Sequence, residues 1–217
     1  MTHREFHRRH LPHWQPSGGI FFVTFRLKGS LPYAAIGALQ QEKEREEQRI
    51  ASLPEDQRAI QQDLNERRQF GRWDSLLDKA ESGTRWLAQP EIAEIVKEAL
   101  HYRDTKDYDL FAFCVMTNHV HVVFKPLTQL SESDCQSDLP DLPLDKIMQS
   151  LKRRTARKAN LILGREGAFW QDESYDHVIR DNEEFNRIVH YVLENPVKAG
   201  LVNQWKDWAW SYCKSDW

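Results

Sequence analysis

The sequence predicts an α+β fold: a ferredoxin-like antiparallel sheet with helices on one face. Three observations predict it. Short β-branched and aromatic runs at 20–27, 108–115 and 119–125 read as strands. Residues 90–103 carry Ile92, Ile95, Val96 and Leu100 at helical spacing, and 144–163 read as a second helix. With a short strand at 168–171, the order becomes β-α-β-β-α-β.

The first strand, Ile20-Phe21-Phe22-Val23-Thr24-Phe25-Arg26-Leu27, is closed by Gly29 and Pro32. Residues 34–82 are rich in Glu, Gln and Arg and predict a helix to about Ser52, a break at Pro54 and a second helix over 55–69. Their apolar content is thin (Ile36, Leu39, Ile50, Ile60, Leu64), so 40–85 is expected to be a charged helical insertion with a solvated face. Pro90 suits the first turn of the next helix. The strands at 108–115 and 119–125 are joined by Met116-Thr117-Asn118 and read as a hairpin. Residues 126–143 carry Glu132, Asp134, Asp138 and Asp141 and are expected to form an acidic loop. A last helix begins at Asp181 or Asn182, which suit an N-cap, and is expected to stop at Pro196.

The 217 residues fit one domain over 1–217. With 40% hydrophobic residues, 29% charged residues and a net charge of −3, the chain is not a polycation, so any nucleic-acid site must be local. Cys114, Cys135 and Cys213 are far apart, odd in number and form no CxxC pair, so neither a zinc knuckle nor a disulfide framework is indicated and reduced thiols are expected. The polar start MTHREFHRRH does not read as a signal peptide and no apolar run reaches membrane-spanning length, so a cytoplasmic protein without a membrane partner is expected.

The chemistry-bearing residues lie in two places. Alternate side chains of a strand share a face, so His119 and His121 project together while Val120, Val122 and Phe124 point the other way. Two imidazoles so placed can hold one divalent cation; the pair alone is a weak signal, and its plain alternative is ordinary surface histidines. Tyr191 and Asn195 are four apart on a helix and emerge one turn apart on one face. Each also has a plain structural role open to it, Tyr191 in packing beside Ile188 and Val192, Asn195 at a helix end.

Asn118-His119-Val120-His121 resembles the metal motif of the HUH endonucleases, histidine–hydrophobic–histidine. The stretch from His190 to Val202, HYVLENPVKAGLV, resembles the signature of REP-associated tyrosine transposases, bacterial relatives of the single-tyrosine insertion-sequence transposases. Val23-Thr24-Phe25-Arg26-Leu27, Leu151-Lys152, Trp170-Gln171, Asp176-His177-Val178-Ile179-Arg180-Asp181 and Trp208-Ala209-Trp210-Ser211 fit the same family in the same order. Only 40–85 and 126–143 are poorly covered.

The resemblance implies an HUH-type nuclease core that cleaves single-stranded DNA at repeated palindromic elements and transfers strands through a covalent 5′-phosphotyrosine. It makes Tyr191 the nucleophile and His119, His121 and Asn195 the ligands of Mg²⁺ or Mn²⁺. Asn195 stands where related single-tyrosine transposases carry glutamine. Tyr175 is the competing nucleophile, but its +4 residue, Ile179, cannot bind metal. The implied partner is single-stranded DNA folded as a REP-like hairpin, in a nucleoid-associated protein for which a monomer is favoured slightly over a homodimer. Residues 146–165 carry basic side chains and no acid, so Lys152, Arg153, Arg154, Arg157 and Lys158 are phosphate-binding candidates. Arg4, Arg8 and Arg9 form a second basic group. Two alternatives stay open: a domesticated, non-catalytic DNA-binding protein of the same family, and a metal hydrolase with a water nucleophile.

Overall fold

The structure is a computed structural model, and it describes Pro16 and residues 18–78, 83–127 and 143–214. Arg4, Arg8 and Arg9 lie outside the described residues, as does the body of the acidic loop, 128–142. The elements in chain order are β1 (Ile20–Arg26), α1 (Tyr33–Ala51), α2 (Glu55–Asp78), α3 (Pro90–Arg103), β2 (Tyr108–Val115), β3 (His119–Pro126), α4 (Leu144–Ile162), β4 (Tyr175–Ile179), α5 (Asn182–Lys198) and β5 (Ser211–Cys213).

The five strands form one sheet in the order β4-β1-β3-β2-β5, with every neighbouring pair antiparallel. Without β5 this is the 4-1-3-2 order of a ferredoxin-like sheet, with α3 and α4 as its crossovers. The alternation of side chains gives the sheet two different faces. Phe21, Val23, Phe25, Val120, Val122 and Phe124 meet Ile92, Val96 and Leu100 of α3 and Ile147 and Leu151 of α4 in the main core. Each of these side chains is at most 2% exposed, so this layer contains most of the apolar burial that drives folding.

A bulge between Leu110 and Ala112 in the β2–β3 ladder adjusts the parity of β2. Leu110 and Phe113 therefore both reach the main core, while Ala112 and Cys114 turn to the other face. The helices expected on one face are α3 and α4. The other face is covered by α5, through Val189, Val192 and Leu193, with Phe70 of α2 packed beside them.

Three expectations are corrected. The fourth strand is 175–179, paired with β1, and not 168–171; Trp170 makes only an isolated bridge to Leu27. Four of the five β4 residues are only half-buried, so the strand has no strong apolar signature. Helix α5 does not stop at Pro196 but runs to Lys198. A proline in the last turn forfeits one intrahelical N–H bond and leaves the remaining turn in place. Helix α2 extends to Asp78, and one side of it is not a solvated face, because Asn65, Gln69, Asp74 and Leu77 are buried there. Three of those four are polar, which is why helical apolar spacing did not reveal the contact. Among the described residues no helix is long and apolar enough to cross a membrane.

Candidate metal centre and tyrosine site

His119 and His121 lie on the α5 face of β3, and both are fully buried. In the β1–β3 register Thr24 is opposite His121, and the pairing reaches the side chains: Thr24 Oγ1 is 2.7 Å from His121 Nδ1. Asn118 orients the other ring. Its amide nitrogen donates to the Leu77 carbonyl of α2 at 2.8 Å, so its Oδ1 accepts from His119 Nδ1–H at 2.6 Å. A neutral His119 then carries its lone pair on Nε2. Burial, reinforced by the neighbouring His121, pushes the His119 pKa down to about 3, so the ring is neutral at ordinary pH.

Helix α5 supplies the second half of the site. Its start is fixed by Asp181, the N-cap, whose carboxylate accepts the Glu184 N–H at 2.8 Å. Glu184 accepts from His177 Nε2 of β4 at 3.1 Å and from the Arg180 N–H at 3.0 Å. Asn195 is fully buried, and its Nδ2 donates to His121 Nε2 at 3.2 Å. One turn earlier, the Tyr191 ring centroid is 5.6 Å from that of His121, with Lys198 Nζ 4.7 Å from the Tyr191 centroid. The Tyr191 hydroxyl is buried and has no hydrogen-bond partner among the described residues.

The sequence reading missed Asp74. It is 4% exposed and projects from α2, with Oδ1 3.2 Å from His121 Nε2 and 3.7 Å from His119 Nε2. Asp74, His119 and His121 each offer one ligand atom, all within 4.8 Å of one another. Asp78, one turn further on, places Oδ1 3.9 Å from His119 Nε2. Burial and the charge of Asp74 push the Asp78 pKa up to about 6. No sequence spacing announces Asp74, because an aspartate on a charged helix is ordinarily solvated.

The donor set fits a cation. His119 Nε2 and His121 Nε2 face each other at 3.0 Å, although the partners of both rings leave those nitrogens as acceptors. Asp74 Oδ1, Asp78 Oδ1 and Asn195 Oδ1 are buried nearby, and none receives a hydrogen bond. So many converging acceptors in a low-dielectric site are costly unless a positive charge sits among them. A pocket of about 420 Å³ between α2 and α5, lined by Asp74, Ser75, Asp78, Tyr191 and Lys198, leads to this group.

The expected catalytic and ligand residues therefore converge: His119, His121, Tyr191 and Asn195 meet on one face. Tyr175 stands beside them but is stacked on Phe70 with centroids 4.3 Å apart. The basic residues of α4 belong to the opposite layer. Arg153, Arg154, Arg157 and Lys158 are exposed there. Lys152 differs: its ammonium donates to the Gln171 and Asp172 carbonyls at 2.9 and 3.0 Å, and burial lowers its pKa to about 8.

Comparison with known proteins finds similar sequences. No family model matches the chain. A protein named as a REP-associated tyrosine transposase in Haemophilus influenzae is 28% identical over 109 residues, which are 48% of this chain and 58% of that protein. The REP-associated tyrosine transposase of Escherichia coli K12 is 40% identical over 42 residues, 19% of this chain and 26% of that protein. Over the matched residues the chain is similar to these two REP-associated tyrosine transposases. Its matches span less than two thirds of either relative's length. A solved REP-associated tyrosine transposase, bound to a REP hairpin, aligns with 94% of this chain and 82% of its own at a TM-score of 0.48 and 16% identity.

Proposed function

We propose that the chain is a DNA strand transferase of the REP-associated type, acting on single-stranded DNA folded as a hairpin. Tyr191 is the nucleophile. Its oxygen attacks the scissile phosphorus, a tyrosyl–phosphorus bond forms and the bond to the 3′ oxygen breaks. The phenolic proton is lost to the surroundings and the leaving 3′ oxygen takes up a proton, so a 5′-phosphotyrosine and a free 3′-OH result. The bond energy is retained, and the 3′-OH of another strand can reverse the step.

His119, His121 and the carbonyl oxygen of Asn195 would hold Mg²⁺ or Mn²⁺, which when bound neutralises charge developing on the phosphate oxygens. Asn118 and Thr24 orient the two imidazoles, as groups behind metal ligands do. Helix α5 keeps Tyr191 and Asn195 one turn apart. The pocket between α2 and α5 is the route by which a phosphate reaches the hydroxyl. The exposed Arg153, Arg154, Arg157 and Lys158 of α4 bind the phosphates of the hairpin, and Arg4, Arg8 and Arg9 of the amino-terminal sequence are a second, separate phosphate-binding group.

The observation that carries the proposal is the unpartnered Tyr191 hydroxyl beside the buried His119–His121 pair, on the helix that also brings Asn195 to His121. A denaturing gel of labelled single-stranded hairpin DNA with Mn²⁺ tests it. The expected result is a protein–DNA adduct that survives denaturation, is lost in Tyr191→Phe and persists in Tyr175→Phe. Hairpin binding without any adduct would instead indicate a non-catalytic DNA-binding protein. A water-nucleophile hydrolase is the second reading, because Asp74 puts a carboxylate beside the histidine pair. That reading predicts free phosphate ends that persist in Tyr191→Phe.

A further inference from the structure

Most of the α1–α2 segment falls in 40–85, which the sequence resemblance covers poorly, yet α2 lies over the face that carries His119, His121 and Tyr191. Phe70 stacks on Tyr175 and meets Phe22 edge-on at 5.3 Å. Leu77 receives the Asn118 amide, and Arg67 approaches Glu184 of α5 at 3.6 Å. Asp74 lies between these anchors, so its carboxylate is held in place and not free to swing into solvent.

We propose that Asp74 is a direct ligand of the divalent cation at the His119–His121 pair, so that α2 is part of the metal centre. This rests on the cation reading of the histidine pair given above. Charge is one support. Two imidazoles and a carboxamide are all neutral, and a dication taken out of water needs an anionic partner. Asp74 places that charge within 3.2 Å of one imidazole nitrogen and 3.7 Å of the other. Hardness is the second support: a carboxylate added to two imidazoles and an amide oxygen favours Mn²⁺ or Mg²⁺ over softer ions. The unsatisfied Oδ1 atoms of Asp74 and Asn195 are the third, because one ion accounts for both. A bound cation would join α2, β3 and α5 at a single point.

The test is Mn²⁺ binding to the full chain without DNA, followed by isothermal titration and by the electron paramagnetic resonance of the free ion. The wild type should bind one Mn²⁺, and His119→Ala should lose it. Asp74→Asn, which keeps the side-chain volume, should bind at least about tenfold more weakly, and Asp74→Glu should recover part of the loss. Hydrogen exchange gives a second readout: Mn²⁺ should slow the amides of residues 70–78 in the wild type but not in Asp74→Asn. Unchanged or tighter Mn²⁺ binding in Asp74→Asn, with binding lost in His119→Ala, would overturn the role of Asp74 and leave the histidine site standing. No Mn²⁺ binding by the wild type would overturn both.

Discussion

Asn118 Oδ1 accepts the Nδ1–H of His119 at 2.6 Å, and the same carboxamide donates to helix α2 at Leu77. One side chain thus sets the tautomer of a candidate ligand and tethers the helix that brings Asp74. Asn118→Ala should weaken Mn²⁺ binding by roughly 10–100-fold, the usual cost of removing a group behind a metal ligand. Asn118→Asp keeps the acceptor but not the donor, so it should fall between the two. Titration of the three proteins with Mn²⁺ checks the order, and equal affinities would refute it.

Glu184 should contribute to stability in a pH-dependent way. Burial raises its carboxyl, but the Arg180 N–H, His177 and Arg67 more than offset this and hold it below its ordinary value of 4.5. A depressed folded value means stability that is fully present above 4.5 and lost as the pH falls through the folded value. Glu184→Gln should cost about 1.5–3 kcal/mol at pH 7, the range for hydrogen bonds to a charged group. The gap between variant and wild type in urea melts should narrow at pH 3. A gap independent of pH would mean that the charge contributes nothing.

The basic residues of α4 should divide into two kinds. Arg154→Ala and Arg157→Ala should each weaken hairpin binding and flatten the dependence of log affinity on log salt by about 0.9. Lys152→Met should leave that slope unchanged, because its ammonium is committed to the carbonyls of Gln171 and Asp172. Binding isotherms at several salt concentrations decide this. An equal change in slope for Lys152→Met would show that this side chain reaches DNA.

Stability and chemistry should separate across the sheet. On the α3–α4 side, Trp170 Nε1–H donates to the buried Thr155 Oγ1 at 2.8 Å. Thr155→Val would leave that donor unsatisfied, at a cost of about 1–3 kcal/mol. The yield of DNA adduct per folded molecule should not change, since neither residue touches the histidine face. A fall in adduct yield at full folding would show that the two layers are coupled.

The sequence disclosed the parts of this protein whose signals are periodic. Helix α3 occupies the span its apolar spacing predicts, and the β2–β3 hairpin turns at the residues named for it. The resemblance led to His119, His121, Tyr191 and Asn195, which the fold brings together. Strand β4 and the inner side of α2 were not legible, for one physical reason. Their contacts are made by half-buried or polar side chains, which look solvated until the tertiary partner is known. Asp74 is the sharpest case: 45 positions before His119, in a segment rich in charge, its burial depends wholly on where α2 comes to rest.

Strand β3 gives a different kind of constraint. It is flanked by β1 and β2, and it sends His119, His121 and Val123 to one side and Val120, Val122 and Phe124 to the other. A shift of one residue in its pairing would drive both imidazoles into the hydrocarbon of the main core and leave valines facing Asp74 and Asn195. The connection 116–118 therefore acts as a ruler. Chains that gain or lose a single residue there should disappear under selection for activity, whereas the remote turn between α1 and α2 should drift freely in length.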